Sequence, residues 1–242
     1  MWVIFKKEFA GYLHSLIAYM VIGVFLTAMG LLMWVFPDTS VLDYGYADMG
    51  TLFSTGPYVL LFLIPGITMR SFAEEKRMGT LELLLTKPIT DWQLVLGKFM
   101  AAWALVAVAL LPTLIYYYSV YQLGRPAGNV DTAGVMGSYV GLFLLSAVFC
   151  SAGILASSLT VNQIVAFMVS AFLCFLLYTG FDSLAALPMP TSLAWVLKQI
   201  GIVYHYESLS KGLIDSRDVV YFFSATSVLL VATKTSISSR QW

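Results

Sequence analysis

Four long stretches of the chain contain no Asp, Glu, Lys or Arg: between Glu8 and Asp38, Asp48 and Arg70, Lys98 and Arg125, and Asp131 and Asp182. A helix needs about 20 apolar residues to cross a bilayer core. Only helices and closed barrels satisfy their own backbone in lipid. The first three gaps each fit one helix. The fourth is long enough for two, with "SSLTVNQ" at 157–163 as the polar break between them. A last run, "VVYFFSATSVLLVAT" from Val219, is short, but Lys234 can snorkel and extend it. The pattern predicts an all-α integral membrane protein with six spans, at about 16–36, 53–70, 99–119, 135–157, 163–181 and 219–237.

Composition agrees. Only 11% of the residues are charged and 60% are apolar, whereas a soluble domain carries about 25% charge. The partner of such a chain is the lipid bilayer. A net charge of zero argues against a nucleic acid held by bulk electrostatics. Cys150 and Cys174 both fall inside apolar runs and read as small core residues, not as a disulfide or metal pair. A secretory signal has an apolar core of about 7–15 residues and a small-residue cleavage site. The run from Leu16 to Phe36 is longer and ends in "MWVFPD", so it reads as a retained helix.

Six spans put both termini on one side. With them lie Lys6, Lys7, Arg70, Lys76, Arg77, Lys87, Lys98, Lys234 and Arg240, nine of the 13 Lys and Arg. Arg125, Lys198, Lys211 and Arg217 fall opposite. Short loops rich in Lys and Arg stay in the cytosol, so both termini and the 70–98 loop are expected there. Before the first span, Trp2, Phe5, Phe9, Tyr12 and Leu13 recur at steps of three and four, with Lys7, Gly11 and His14 opposite. That spacing predicts an amphipathic helix over 1–14 lying along the cytoplasmic interface.

Residues 71–99, "SFAEEKRMGTLELLLTKPITDWQLVLGKF", gather eight charged side chains between two apolar runs. The helix of the second span is expected to continue past Arg70 to about Lys76 and to break at Gly79, which is permissive at a helix C-terminus. Thr80 then offers a hydroxyl cap to "LELLL", with Glu82 in the first turn, where the helix dipole favours an anion. Pro88 stops this short helix by disfavouring helical geometry at Lys87. Thr90 and Gln93 have capping-box spacing and open the next helix. Leu81, Leu83, Leu84 and Leu85 are too apolar for an element bathed in cytosol, and must pack on this chain or on a partner.

"MRSFAEEKRMGTLELLLTKPITDWQLVLGKF" resembles the first cytoplasmic loop of ABC-2 type transporter permeases. The resemblance extends over nearly the whole chain, residues 1–242 reading as a single permease domain. Within that family, "GYADMGTLF" and "LSKGLIDSRDVVYF" are most similar to the permease subunit associated with bacterial gliding motility. The resemblance implies a bacterial cytoplasmic (inner) membrane and a separate ABC ATPase subunit that docks on the N-terminal helix and the loop helix. Carried over to this chain, that coupling surface comprises Glu74, Glu75, Arg77, Gly79, Thr80 and Glu82. It further implies a second permease half: another copy, or a related membrane subunit that can carry a large periplasmic domain. No G-x-x-x-x-G-K-[ST] occurs. The chain is therefore expected to bind no cofactor itself, ATP and magnesium belonging to the partner ATPase.

Pro65-Gly66 in the second span is a candidate helix break lining a pathway, although proline also occurs in membrane helices without special function. Gly137 and Gly141 have G-x-x-x-G spacing and suit close helix packing. Between spans five and six, Pro188 and Pro190 end one element and Thr191 or Ser192 can cap "LAWVLKQI". An external or re-entrant helical pair is expected there, followed by Asp215 as a cap and Asp218 in the first turn of span six. His205, between Tyr204 and Tyr206, is either an interfacial anchor or a substrate contact.

Three functions are weighed: an ATP-driven transporter permease; a non-transporting scaffold that passes ATPase work to periplasmic machinery; and an intramembrane enzyme. The enzyme needs reactive groups at membrane depth, and no ionisable Asp, Glu, Lys, Arg or His lies deep in an expected span.

Overall fold

The computed structural model describes residues 1–43, 45–86, 88–188 and 190–239. Among them every regular element is a helix. Helix α1 (Trp2–Leu13) turns into α2 (Leu16–Trp34), the bend to the run from Ala18 being 66°. Then come α3 (Gly50–Thr68), the short α4 (Ala73–Arg77) and α5 (Thr80–Leu85), and α6 (Asp91–Leu110). A single 3₁₀ turn at Leu111–Thr113, where Pro112 cannot donate to the ladder, leads into α7 (Leu114–Leu123). Helix α8 (Thr132–Leu159) is followed by α9 (Gln163–Phe175), which continues through a π-turn (Leu176–Gly180) into α10 (Phe181–Ala185). The pair α11 (Thr191–Ile200) and α12 (Ile202–Ser210) precedes α13 (Ser216–Ser238).

Among the described residues five helical runs are long and apolar enough to cross a bilayer: Gly50–Arg77, Asp91–Leu123, Thr132–Leu159, Gln163–Ala185 and Ser216–Ser238. Helix α2 makes a sixth when counted with α1 across their bend. These runs contain the five later expected spans and mostly overshoot them, because polar caps and not the edges of the apolar runs set the ends. Asp131 accepts from Gly134 N–H at 3.0 Å, Asn162 from Ile164 N–H at 2.9 Å and Asp215 from Arg217 N–H at 2.9 Å.

Helix α8 is the central pillar, with α3, α6, α9, α12 and α13 packed around it. Two of its buried serines bond within the helix itself. Ser146 donates to Phe143 O and Ser151 to Val148 O, each at 2.7 Å. Gly137 and Gly141 are packing glycines, as the spacing suggested. A Cβ on Gly137 would lie 2.8 Å from Gly212 Cα, and one on Gly141 would lie 2.6 Å from Leu209 Cβ. Their bare surface lets the end of α12 lie against α8.

Several local expectations need correction. Helix α3 does not break at Pro65-Gly66. It runs through both to Thr68, and the interruption falls at 69–72 instead. Neither Thr191 nor Ser192 caps α11, whose N-cap position is Pro190. His205 is no simple anchor. Its Nδ1 lies 2.7 Å from Asp218 Oδ1, its Nε2 lies 2.8 Å from Gln199 O, and its ring stacks on Tyr221 at 4.0 Å. It ties α11, α12 and α13 together. The stop attributed to Lys87 ahead of Pro88 lies outside the described residues, as do the side chains of Leu83 and Leu85 and the terminal Arg240.

Candidate functional site

One end of the bundle collects the N-terminal helix, the charged loop and the end of α13. Lys234, near the end of α13, sits 5.9 Å from the ring of Trp92 at the start of α6. Both described ends of the chain therefore lie on the loop side, the arrangement an even number of spans requires.

The loop is anchored from below. Where α3 gives way to α4, Ser157 Oγ on α8 accepts from the backbone N–H of Phe72 at 3.0 Å and of Ala73 at 3.1 Å, and donates to Met69 O at 3.0 Å. One hydroxyl thus satisfies both N–H groups at the start of α4 that lack helical partners. Lys76 Nζ donates to the carbonyl of Ser158. Helix α4 carries Glu74 and Glu75 in its first turn and Lys76 and Arg77 in its last, the order that the helix dipole favours.

From there the chain turns outward. Gly79 has φ +68°, a left-handed conformation that costs other residues roughly 1–2 kcal/mol. It starts α5 as the N-cap residue, the position expected of Thr80. Thr80 is instead the first helical residue, its hydroxyl reaching back to Glu75 O at 3.3 Å. Leu81 is buried in the core, whereas Arg77, Met78, Gly79 and Glu82 are exposed. The capping box at Thr90 and Gln93 is present and launches α6.

Glu75 faces the other way. Its Oε1 lies 2.8 Å from the ammonium of Lys98 on α6, whose side chain is 1% exposed. Glu8 on α1 holds the same ammonium at 3.1 Å, and the carbonyl of Ser71 accepts from it at 2.7 Å. Lys7, 63% exposed, lies 3.7 Å from Glu8 and 3.9 Å from Glu75. The phenol of Tyr12 pairs with Ser71 Oγ at 3.2 Å, and burial pushes its pKa up, so it stays protonated. These groups line a cavity of about 270 Å³ together with Arg70 and Glu74. Arg70 Nε and Glu75 Oε2 are buried beside it without a hydrogen-bond partner among the described residues.

Of the six residues carried over to the coupling surface, the fold therefore brings Arg77, Gly79 and Glu82 to the outside. It leaves Glu74 and Thr80 partly covered and turns Glu75 inward. Sequence reasoning missed Glu8, Lys98 and Ser157. A signal existed for Glu8: with Ile4 and Tyr12 it falls at steps of four, placing a carboxylate in line with the buried Ile4. Trp2, expected with Phe5 on the apolar face of this helix, stacks on the Phe5 ring at 5.0 Å.

A second feature lies in the span region. Gly66 lines an apolar groove of about 650 Å³ with Met20 and Val24 of α2, Tyr58 and Phe62 of α3, and Phe167 of α9.

No match to a curated protein was found. The model of the ABC-2 family transporter proteins matches residues 2–239. The helical bundle and the whole-chain match agree: the chain belongs to the ABC-2 transporter family and is a multi-pass transmembrane permease subunit of an ABC transporter, whose ATPase is a partner subunit.

Proposed function

We propose that this chain is the permease half of a gliding-motility type transporter in a bacterial cytoplasmic membrane, with both termini in the cytosol. It couples ATP hydrolysis by the partner to export or to mechanical work. The observation that carries this reading is the exposed tip Arg77–Met78–Gly79 with Glu82, borne on a loop that Ser157 and Lys98 fix to the spans. A rigid, charged projection beside α1 suits a protein that pushes on the bundle. ATP and magnesium are held by that partner. The second half is a copy of this chain or a related membrane subunit.

The groove beside Gly66 supports a pathway for an apolar or lipid-linked substrate. Pro65, beside Gly66 in α3, has no N–H to donate to the carbonyl four residues back. The inward orientation of Glu75 assigns it to holding the loop, and leaves contact with the motor to Arg77 and Glu82.

The test is purification of the chain from native membranes with its partners attached. Charge reversal at the tip, Arg77→Glu with Glu82→Lys, should weaken ATPase retention about tenfold or more, as expected when charge pairs at a protein interface are disrupted. The permease itself should still insert and fold. Full retention and full function in that variant would remove the tip from the docking surface. An assembly that hydrolyses ATP and supports motility while moving no substrate would favour the scaffold.

A further inference from the structure

Lys98 stands apart from the other charges of the loop end. An ammonium has three hydrogens, and here each finds an acceptor on a different part of the chain: Glu8 on α1, Glu75 on α4, and the Ser71 carbonyl between α3 and α4. Lys98 itself belongs to α6, and its Nζ lies 5.1 Å from the centre of the Phe72 ring. We infer that Lys98 is the positioning residue that makes α1, the loop and α6 move as one body when the ATPase pushes on them. The inference rests on the permease reading above and names the element of this chain that transmits the stroke.

A buried ion set is weak evidence for stability. Desolvating the charges offsets most of their attraction, and neutral replacements of similar volume are often as stable. What the set does supply is registry. If the loop swings and α1 stays, Glu75 leaves Lys98 and a buried ammonium loses one of its two counter-ions. If α1 swings alone, Glu8 leaves it. Either separation strands charge in a site that water barely reaches, so separate movement is penalised and joint movement is not. Ser157 and Lys76 tie the same loop to α8, so the push also has a route to the central pillar.

The experiment uses the complex of permease and ATPase in lipid nanodiscs. The triple variant Glu8→Gln, Glu75→Gln, Lys98→Met removes every charge of the trio while keeping its volume, and Lys98→Arg keeps the cation. Two readouts are taken: permease-dependent ATP turnover, and the distance between spin labels at Lys6→Cys and Thr86→Cys, both exposed and outside the docking tip, with and without ATP. In the native chain the two labels should keep their separation as ATP binds. The triple variant should retain its thermal midpoint and its ATPase, yet show labels that move independently and a turnover response reduced about tenfold, within the range by which residues along a coupling network alter it. Lys98→Arg should lose less than about threefold. A triple variant that couples as the native chain does overturns the inference. So does one that fails to fold or to hold the ATPase, since the trio would then determine the fold or the docking. A native chain that retains no ATPase at all would instead refute the permease reading.

Discussion

Gly97→Ala offers the sharpest check on how α1 is seated. Gly97 and Lys98 are neighbours on α6, and α1 lies close against the bare surface of Gly97. A Cβ there would lie 2.8 Å from Ile4 Cγ2, 2.9 Å from Ile4 Cβ and 3.4 Å from the carbonyl oxygen of Met1. Ile4 Cβ is attached directly to the α1 backbone, so the helix must move to relieve the contact. Gly11 is the control: it also sits in a helix, and a Cβ there would meet nothing within 4 Å. Both substitutions gain up to about 1 kcal/mol in helix propensity. Only Gly97→Ala then incurs the cost of overpacking, about 1–3 kcal/mol. A chain of this size shifts its midpoint by about 2–4 °C per kcal/mol, so the two variants should separate by roughly 5 °C in a detergent melt. The displaced α1 should also draw Glu8 from Lys98. Equal upward shifts for Gly11→Ala and Gly97→Ala would show that α1 does not rest on Gly97.

Two further outcomes follow from named contacts. Ser157→Ala leaves the N–H groups of Phe72 and Ala73 without their acceptor, at a cost of about 1–3 kcal/mol in the buried turn. A melt should show the loss, and an unchanged midpoint would mean that the loop is not anchored through this hydroxyl. For topology, Asp43→Cys should react with an impermeant reagent in spheroplasts and Arg77→Cys should not; labelling of Arg77→Cys from outside would invert the proposed orientation.

The spans were legible because lipid imposes a simple rule: the gaps between charges are long and the ends are marked by capping residues such as Asp131 and Thr90. The loop was legible as a series of breaks, since Gly79 and the Thr90 capping box are local devices whose geometry depends on few neighbours. The interruption of α3 was not. Pro65 looks like the break, but a helix tolerates one missing hydrogen bond when packed on both sides. Leu63, Ile64 and Ile67 are buried around it. The chain breaks where Ser157, remote in sequence, offers the backbone at Phe72 and Ala73 an alternative partner.

The same distinction explains why Lys98 reads as an ordinary loop charge in the sequence. A lysine at the edge of an apolar run is usually solvated, and the acceptors that hold this ammonium lie more than twenty residues away in the chain. Its partners lie on α1 and on α4, and the one on α1 comes near because Gly97 carries no side chain. With a methyl group at 97, α1 would stand off from α6 and Glu8 would fall short of the ammonium. Lys98 would then keep Glu75 and the Ser71 carbonyl but lose its second carboxylate. The close approach and the ion set are therefore one device. The glycine decides how near the N-terminal helix can come, and the lysine decides what that helix and the loop must do together once it is there.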